Sequence, residues 1–158
     1  MALLQCLIIM KFHLNNLSSF HIGAVSGYFN PLHYGHVEYI NAAKDNCDFL
    51  IAIINSDYQV SLKGSQRFMD EEHRRKIVSS LKSVDLAIIS GDSDKTQCYT
   101  LKKIRETFPT CKISFFNSGD RKHGNLVSAE SQSCEENKIF EIVLDLPKIY
   151  SSSELIKT

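Results

Sequence analysis

The chain has little of what marks the specialised classes of protein. Its 18 Lys and Arg residues are matched by 18 Asp and Glu, so the net charge is zero and no general basic field exists to hold nucleic acid or an anionic bilayer. Any anion it binds must be held by local groups. Proline occurs 3 times and glycine 7 times in 158 residues, too sparsely for a disordered or collagen-like chain. The five cysteines, Cys6, Cys47, Cys98, Cys111 and Cys134, are odd in number, widely spaced and without a CxxC pair. That pattern argues against a disulfide framework or a zinc site and points to a reducing, cytoplasmic setting. The apolar stretch from Ala2 to Met10 is well short of the about 20 residues that span a bilayer, with no basic region before it and no small-residue cleavage site after it. Residues 1–20 therefore read as an N-terminal extension of uncertain start, since Met10 before Lys11 could equally open the protein. No internal repeat or linker follows, and residues 21–158 read as one domain.

What is present from His21 onward is an alternation of short apolar runs with longer amphipathic stretches, the rhythm of βα units. Strands are expected at Ile22–Ser26, Phe49–Asn55, Asp85–Ser90, Lys112–Phe116 and Ile139–Leu144. Runs apolar on both faces suit a parallel sheet covered by helices. Helices are expected over Gly35–Asn46, over Met69–Leu81 with Ile77, Val78 and Leu81 inward, and over Gln97–Thr107, which stops before Pro109. The stretch Ser118–Ser133 is polar and short of apolar periodicity and reads mostly as loop, with a weak helix as the alternative. Ser151–Lys157 starts like a late helix, with Ser151 as N-cap and Glu154 at capping-box spacing. The fold class is α/β: a Rossmann-like, doubly wound, parallel five-stranded sheet.

The most informative stretch is Gly27–His36, GYFNPLHYGH, which follows the first strand and leads into the first helix. Open α/β sheets bind ligands beyond the carboxyl ends of their strands, where a helix N-terminus offers free N–H groups and a positive dipole end to phosphate. Gly27 lets backbone approach a ligand, Pro31 stiffens the turn, and Gly35 leaves room for a nucleotide. His33 and His36, three apart, fall on one side of the first turn. Alone, two such histidines would be surface or capping residues, and no HExxH or nearby cysteine completes a zinc set.

The whole phrase resembles the GxFxPxHxGH signature of the small nucleotidyltransferases, the cytidylyltransferase-like family that includes pantetheine-phosphate and nicotinamide-mononucleotide adenylyltransferases. The resemblance continues in order through Asn55-Ser56-Asp57, Leu62-Lys63-Gly64, Arg67-Phe68-Met69, Glu72-His73-Arg74, Val84-Asp85 and Asn117-Ser118-Gly119-Asp120-Arg121, then Tyr150-Ser151-Ser152-Ser153-Glu154-Leu155-Ile156. This order looks like the sugar-phosphate branch, including the domain that adenylylates heptose 1-phosphate, with glycerol-3-phosphate cytidylyltransferase a looser match. The resemblance implies transfer of AMP or CMP from ATP or CTP to a phosphorylated sugar or polyol, with Mg²⁺ bridging the triphosphate and no dedicated protein ligands for it. It implies catalytic roles for His33, His36, Lys63 on a mobile loop, and Arg74 projecting from the next helix. It implies nucleotide contacts at Gly27, Tyr28, Phe29, Asn30, Gly35, Gly119, Asp120, Ser151, Ser152 and Ser153. It also implies a homodimer that engages neither nucleic acid nor membrane. Class I aminoacyl-tRNA synthetases share HxGH, but this chain is short, neutral and without a KMSKS segment. A rival reading is a catalytically silent nucleotide-binding or sensor module, motivated by Asn30 where Asp is frequent, Ser118 where Gly is usual, and Leu146 where glycerol-3-phosphate enzymes carry Arg.

Overall fold

The computed structural model describes residues 20–118 and 128–146. Five strands alternate with helices: β1 His21–Gly27, α1 Tyr34–Lys44, β2 Phe49–Ile54, α2 Asp57–Lys63, α3 Glu71–Ser79, β3 Leu86–Ile89, α4 Cys98–Thr107, β4 Lys112–Ser118, α5 Ala129–Glu136 and β5 Phe140–Leu144. The strands form one parallel sheet in the order β3-β2-β1-β4-β5. Ile22 pairs with Phe49 on one side of β1, and His21 pairs with Lys112 on the other. Chain order therefore reverses between β1 and β4, and the crevice beyond their carboxyl ends is the switch point where such sheets take ligands.

Strand alternation divides the core in two. Ile22, Ala24, Ile51, Ile53, Ile113 and Phe115 face Leu101 and Ile104 of α4 and Cys134 of α5. Val25, Leu50, Ala52, Ile54 and Phe116 face Tyr39, Ile40 and Ala43 of α1 and Val78 of α3. Each fully buried Ile or Phe contributes about 1.5–3 kcal/mol, so the central strands are the most strongly anchored backbone and hold the loops beyond them in place. Asp85 adds a polar tie before β3, accepting from the Leu50 N–H at 2.7 Å and pairing with Lys44 at 2.6 Å. No helix among the described residues is long and apolar enough to cross a membrane.

The structure departs from the sequence reading in three places. Residues 57–63 form a helix, because Ser56 accepts from the Gln59 N–H at its start and Gly64, at φ 74°, closes its end in the left-handed conformation that glycine favours. The weak helix allowed within the stretch read mostly as loop is α5, which begins at Ala129 and runs beyond Ser133 to Glu136, capped by Ser128 and anchored by buried Cys134. Ile77 is exposed rather than inward, since α3 buries Arg74 and Val78 instead.

Candidate functional site

The ends of β1, β2 and β4 open onto a cavity of about 330 Å³, bordered by Gly27, Tyr28, Asn55, Lys63 and Asn117. The β1–α1 turn enters it under tight local control. Phe29 takes a positive φ of 47° and folds its ring back under Gly27, where an added Cβ would lie 2.8 Å from the ring. Glycine at 27 is therefore required by Phe29. The Phe29 ring, 1% exposed, meets His36 edge-on at 5.0 Å between centroids.

His33 is the N-cap of α1 and His36 lies one turn on, with their rings stacked at 3.7 Å. The His33 N–H donates to His36 Nδ1 at 3.3 Å. A neutral ring accepting at Nδ1 carries its proton at Nε2, so His36 presents an N–H donor. Burial, then the neighbouring His33 and the Lys63 ammonium, hold the His36 pKa down at about 3. Burial also lowers that of His33. Two neutral imidazoles thus stand at a helix N-terminus whose first N–H groups lack intrahelical partners, a setting that suits phosphate oxygens.

Lys63 is not on a loop, as the sequence reading had it, but is the last residue of α2. Its exposed ammonium lies 4.4 Å from the Tyr28 ring centroid, which steadies an otherwise mobile side chain over the cavity.

Arg74 does not project toward a nucleotide. Its side chain is fully buried, donating to the Tyr28 and Asn55 carbonyls at 2.7 Å each and to Met69 O at 3.2 Å, and pairing with Asp57 at 2.8 Å. With the charge desolvated, the guanidinium locks the β1–α1 turn to the end of β2 and the start of α2. Asn30, also buried, is engaged with protein rather than facing a ligand. Its Nδ2 donates to Gln66 O at 2.7 Å and its Oδ1 accepts from the Phe68 N–H at 3.0 Å. An ionised Asp could accept from Phe68 but could not donate to Gln66, which accounts for the amide here. Gly35 sits in the first turn of α1 beside the histidines. Gly119, Asp120, Ser151, Ser152 and Ser153 lie outside the described residues.

The sequence reading names Asp57 within a matching segment but not as the partner of Arg74, and gives no role to Gln59, Lys95 or Gln97. The S-x-x-Q spacing of Ser56 and Gln59 is the signal available for Asp57 and Gln59, since it marks a helix start. Lys95 and Gln97 also border the cavity, and their signal is position alone, beyond the carboxyl end of β3.

A parallel sheet with a histidine pair at its switch point defines an α/β protein of the HxGH kind. The chain belongs to the cytidylyltransferase-like family, whose pattern matches residues 24–157. It is 30% identical over 138 residues to the bifunctional protein HldE of Rhodopseudomonas palustris (strain BisB5), covering 86% of this chain and 26% of that protein. The chain thus spans about a quarter of that relative. Its fold is shared with the lipopolysaccharide core biosynthesis protein from Thermoplasma volcanium GSS1, at TM-score 0.62 and 21% identity over 82% of this chain and 99% of that one. It is shared too with a bifunctional NMN adenylyltransferase/ADP ribose pyrophosphatase from Francisella tularensis complexed with AMP and a manganese ion. That match has TM-score 0.58 and 18% identity, over 87% of this chain and 41% of that one.

Proposed function

We propose that the protein is a nucleotidyltransferase that moves AMP or CMP from ATP or CTP onto a phosphorylated sugar or polyol and releases pyrophosphate. The observation that carries this reading is the stacked His33–His36 pair at the start of α1, with the Lys63 ammonium close enough to depress His36. A phosphate oxygen of the acceptor attacks the α-phosphorus and forms the new P–O bond. The bond from that phosphorus to the oxygen bridging to the β-phosphate breaks, and its electron pair leaves on pyrophosphate. No protein nucleophile is needed, so positioning and preorganised donors carry the catalysis.

In this reading His36 Nε2–H and the free N–H groups of α1 donate to the phosphates, and Lys63 supplies positive charge. Arg74 is a positioning residue that fixes the turn bearing the histidines. Among the described residues no group of three or more His, Cys, Asp and Glu side chains converges on a metal-sized site. In this reading the divalent ion, Mg²⁺, is carried in by the triphosphate. When bound there, it neutralises phosphate charge. The sequence order Leu62-Lys63-Gly64, Arg67, Arg74 supports the sugar-phosphate branch. Gly119, Asp120 and Ser151–Ser153 keep their proposed nucleotide contacts.

The silent-module reading loses two of its three motives. Asn30 braces the 66–68 segment, and Leu146, half-buried, packs against one apolar face of the sheet. Pyrophosphate release with ATP or CTP and a panel of sugar and polyol phosphates is the test. Turnover with one pair supports transfer, whereas nucleotide-induced thermal stabilisation with no turnover on any acceptor favours the silent module.

A further inference from the structure

Gln97 is the residue immediately before α4, the position where a side chain normally caps a helix, yet it makes no capping bond. Asp92 takes over that task, accepting from the Tyr99 and Thr100 N–H groups at 2.7 and 3.0 Å and from the Thr100 hydroxyl at 2.6 Å. The segment before Gln97 is equally fixed. Gln59, itself fully buried, donates through Nε2 to the carbonyls of Asp94 and Thr96 at 2.8 Å each, while its Oε1 is held by Asn55 and Ser56. The Asp94 carboxylate closes a turn on Thr96. This rigid arm delivers Lys95 and Gln97 to the same cavity that Lys63 and Tyr28 border.

The side chain of Gln97 is anomalous in that setting. The residue is 2% exposed, and its Oε1 has no hydrogen-bond partner among the described residues. A buried acceptor without a donor is destabilising, so its retention at a cavity wall points to a donor brought by a ligand. The chemistry of that ligand is restricted. An ionised phosphate oxygen has no hydrogen to give, so Oε1 needs a hydroxyl or an N–H. Lys95, exposed and two residues before Gln97 on the same wall, supplies a cation for an anionic group. The other cation on this cavity, Lys63, ends α2 and lies over the ring of Tyr28 in the turn that leads to the histidines, whereas Lys95 follows β3 at the edge of the sheet. The two lysines thus reach the cavity from different elements of the fold.

We infer that Lys95 and Gln97 form the subsite for the phosphate-bearing acceptor, Lys95 pairing with its phosphate and Gln97 Oε1 accepting from one of its hydroxyls. This rests on the nucleotidyltransferase reading above and adds to it the residues that select the acceptor, favouring a phosphorylated polyhydroxy compound over phosphates without a hydroxyl in reach. A site built to pair with a hydroxyl discriminates strongly against ligands that lack it, because the buried partner is then left unpaired.

The test is a titration of the full chain with ATP and CTP, followed by glycerol 3-phosphate, mannose 1-phosphate and methyl phosphate in the presence of a saturating non-hydrolysable triphosphate. It is run on the wild type, Lys95→Ala and Gln97→Met, with melting temperatures for all three. Lys95→Ala is expected to weaken the polyol phosphate and methyl phosphate by tenfold or more. Gln97→Met is expected to weaken the polyol phosphate at least tenfold and methyl phosphate less than twofold. Neither is expected to change triphosphate affinity more than twofold. A parallel loss of triphosphate affinity would place the pair in the donor site and overturn the inference. So would a Gln97→Met protein that melts higher and binds polyol phosphate as the wild type does, because the amide would then be merely buried. A wild type that binds triphosphate but no polyol phosphate overturns the subsite and leaves the donor reading standing. One that binds no triphosphate overturns the donor reading and the subsite with it.

Discussion

Two cations that border the same turn do opposite work. Arg74 is wholly enclosed, with three carbonyls and the Asp57 carboxylate around its guanidinium, whereas Lys63 is exposed and touches the protein through the face of one tyrosine ring. The first joins the β1–α1 turn, the end of β2 and the start of α2 into one hydrogen-bonded unit. The second stands on that unit and faces the cavity. Charge alone does not mark a binding residue, and the number of protein partners a cation already holds separates a positioning role from a ligand-facing one.

The sharpest way to break this comparison is to exchange effects on stability for effects on activity. Arg74→Ala is expected to cost about 3–5 kcal/mol of stability, because it removes one member of a largely buried ion pair and the donor to three backbone carbonyls. Chemical denaturation measures this, and a loss below 1 kcal/mol would contradict the clamp. The next effect is pH-dependent. With its folded pKa near 3 and an unfolded value near 6.5, His36 is neutral in both states above pH 6.5. Below that, the unfolded chain takes up a proton that the folded chain refuses, so stability falls by about 1.4 kcal/mol per pH unit toward pH 3. The wild type should therefore lose stability between pH 7 and 4 more steeply than His36→Gln; parallel curves would refute the buried neutral ring.

Smaller effects follow on the ligand-facing side. Lys63→Ala should lower transfer by tenfold or more, about 1.4 kcal/mol, with the melting temperature unchanged, since an exposed lysine contributes little packing. Wild-type activity with wild-type nucleotide affinity would remove Lys63 from the site. Replacing Ser151, Ser152 and Ser153 together by Ala should weaken triphosphate binding and cost about 1 kcal/mol from a lost cap. A change in stability alone would leave those serines with capping only.

The five strands and their order along the chain were legible because buried parallel strands leave continuous apolar runs, as FLIAIIN and DLAIIS do. Helix α2 was less legible, since its residues carry almost no apolar face and only Ser56, Gln59 and Gly64 announce its ends. The GYFNPLHYGH stretch revealed the switch-point turn because the histidines, glycines and proline there are fixed by local geometry. The role of Arg74 was not legible. Whether an arginine on a helix faces ligand or carbonyl depends on residues 17 to 46 positions away, Asp57, Asn55 and Tyr28, that only the fold brings to it. Asn30 was opaque for the same reason, its two partners lying 36 and 38 residues further on.

The central claim is that His36 donates to phosphate oxygens as pyrophosphate departs. Its contribution should grow as charge moves onto the leaving group, so its loss should appear in turnover more than in ground-state binding. Measuring kcat, nucleotide Kd and melting temperature on His36→Ala tests this directly. The account predicts a fall of about 10²–10³ in kcat, roughly 3–4 kcal/mol of transition-state stabilisation, with nucleotide Kd changed far less. Because the His36 ring also packs against Phe29, a modest drop in melting temperature is expected alongside. A folded His36→Ala protein that turns over at the wild-type rate would contradict the claim.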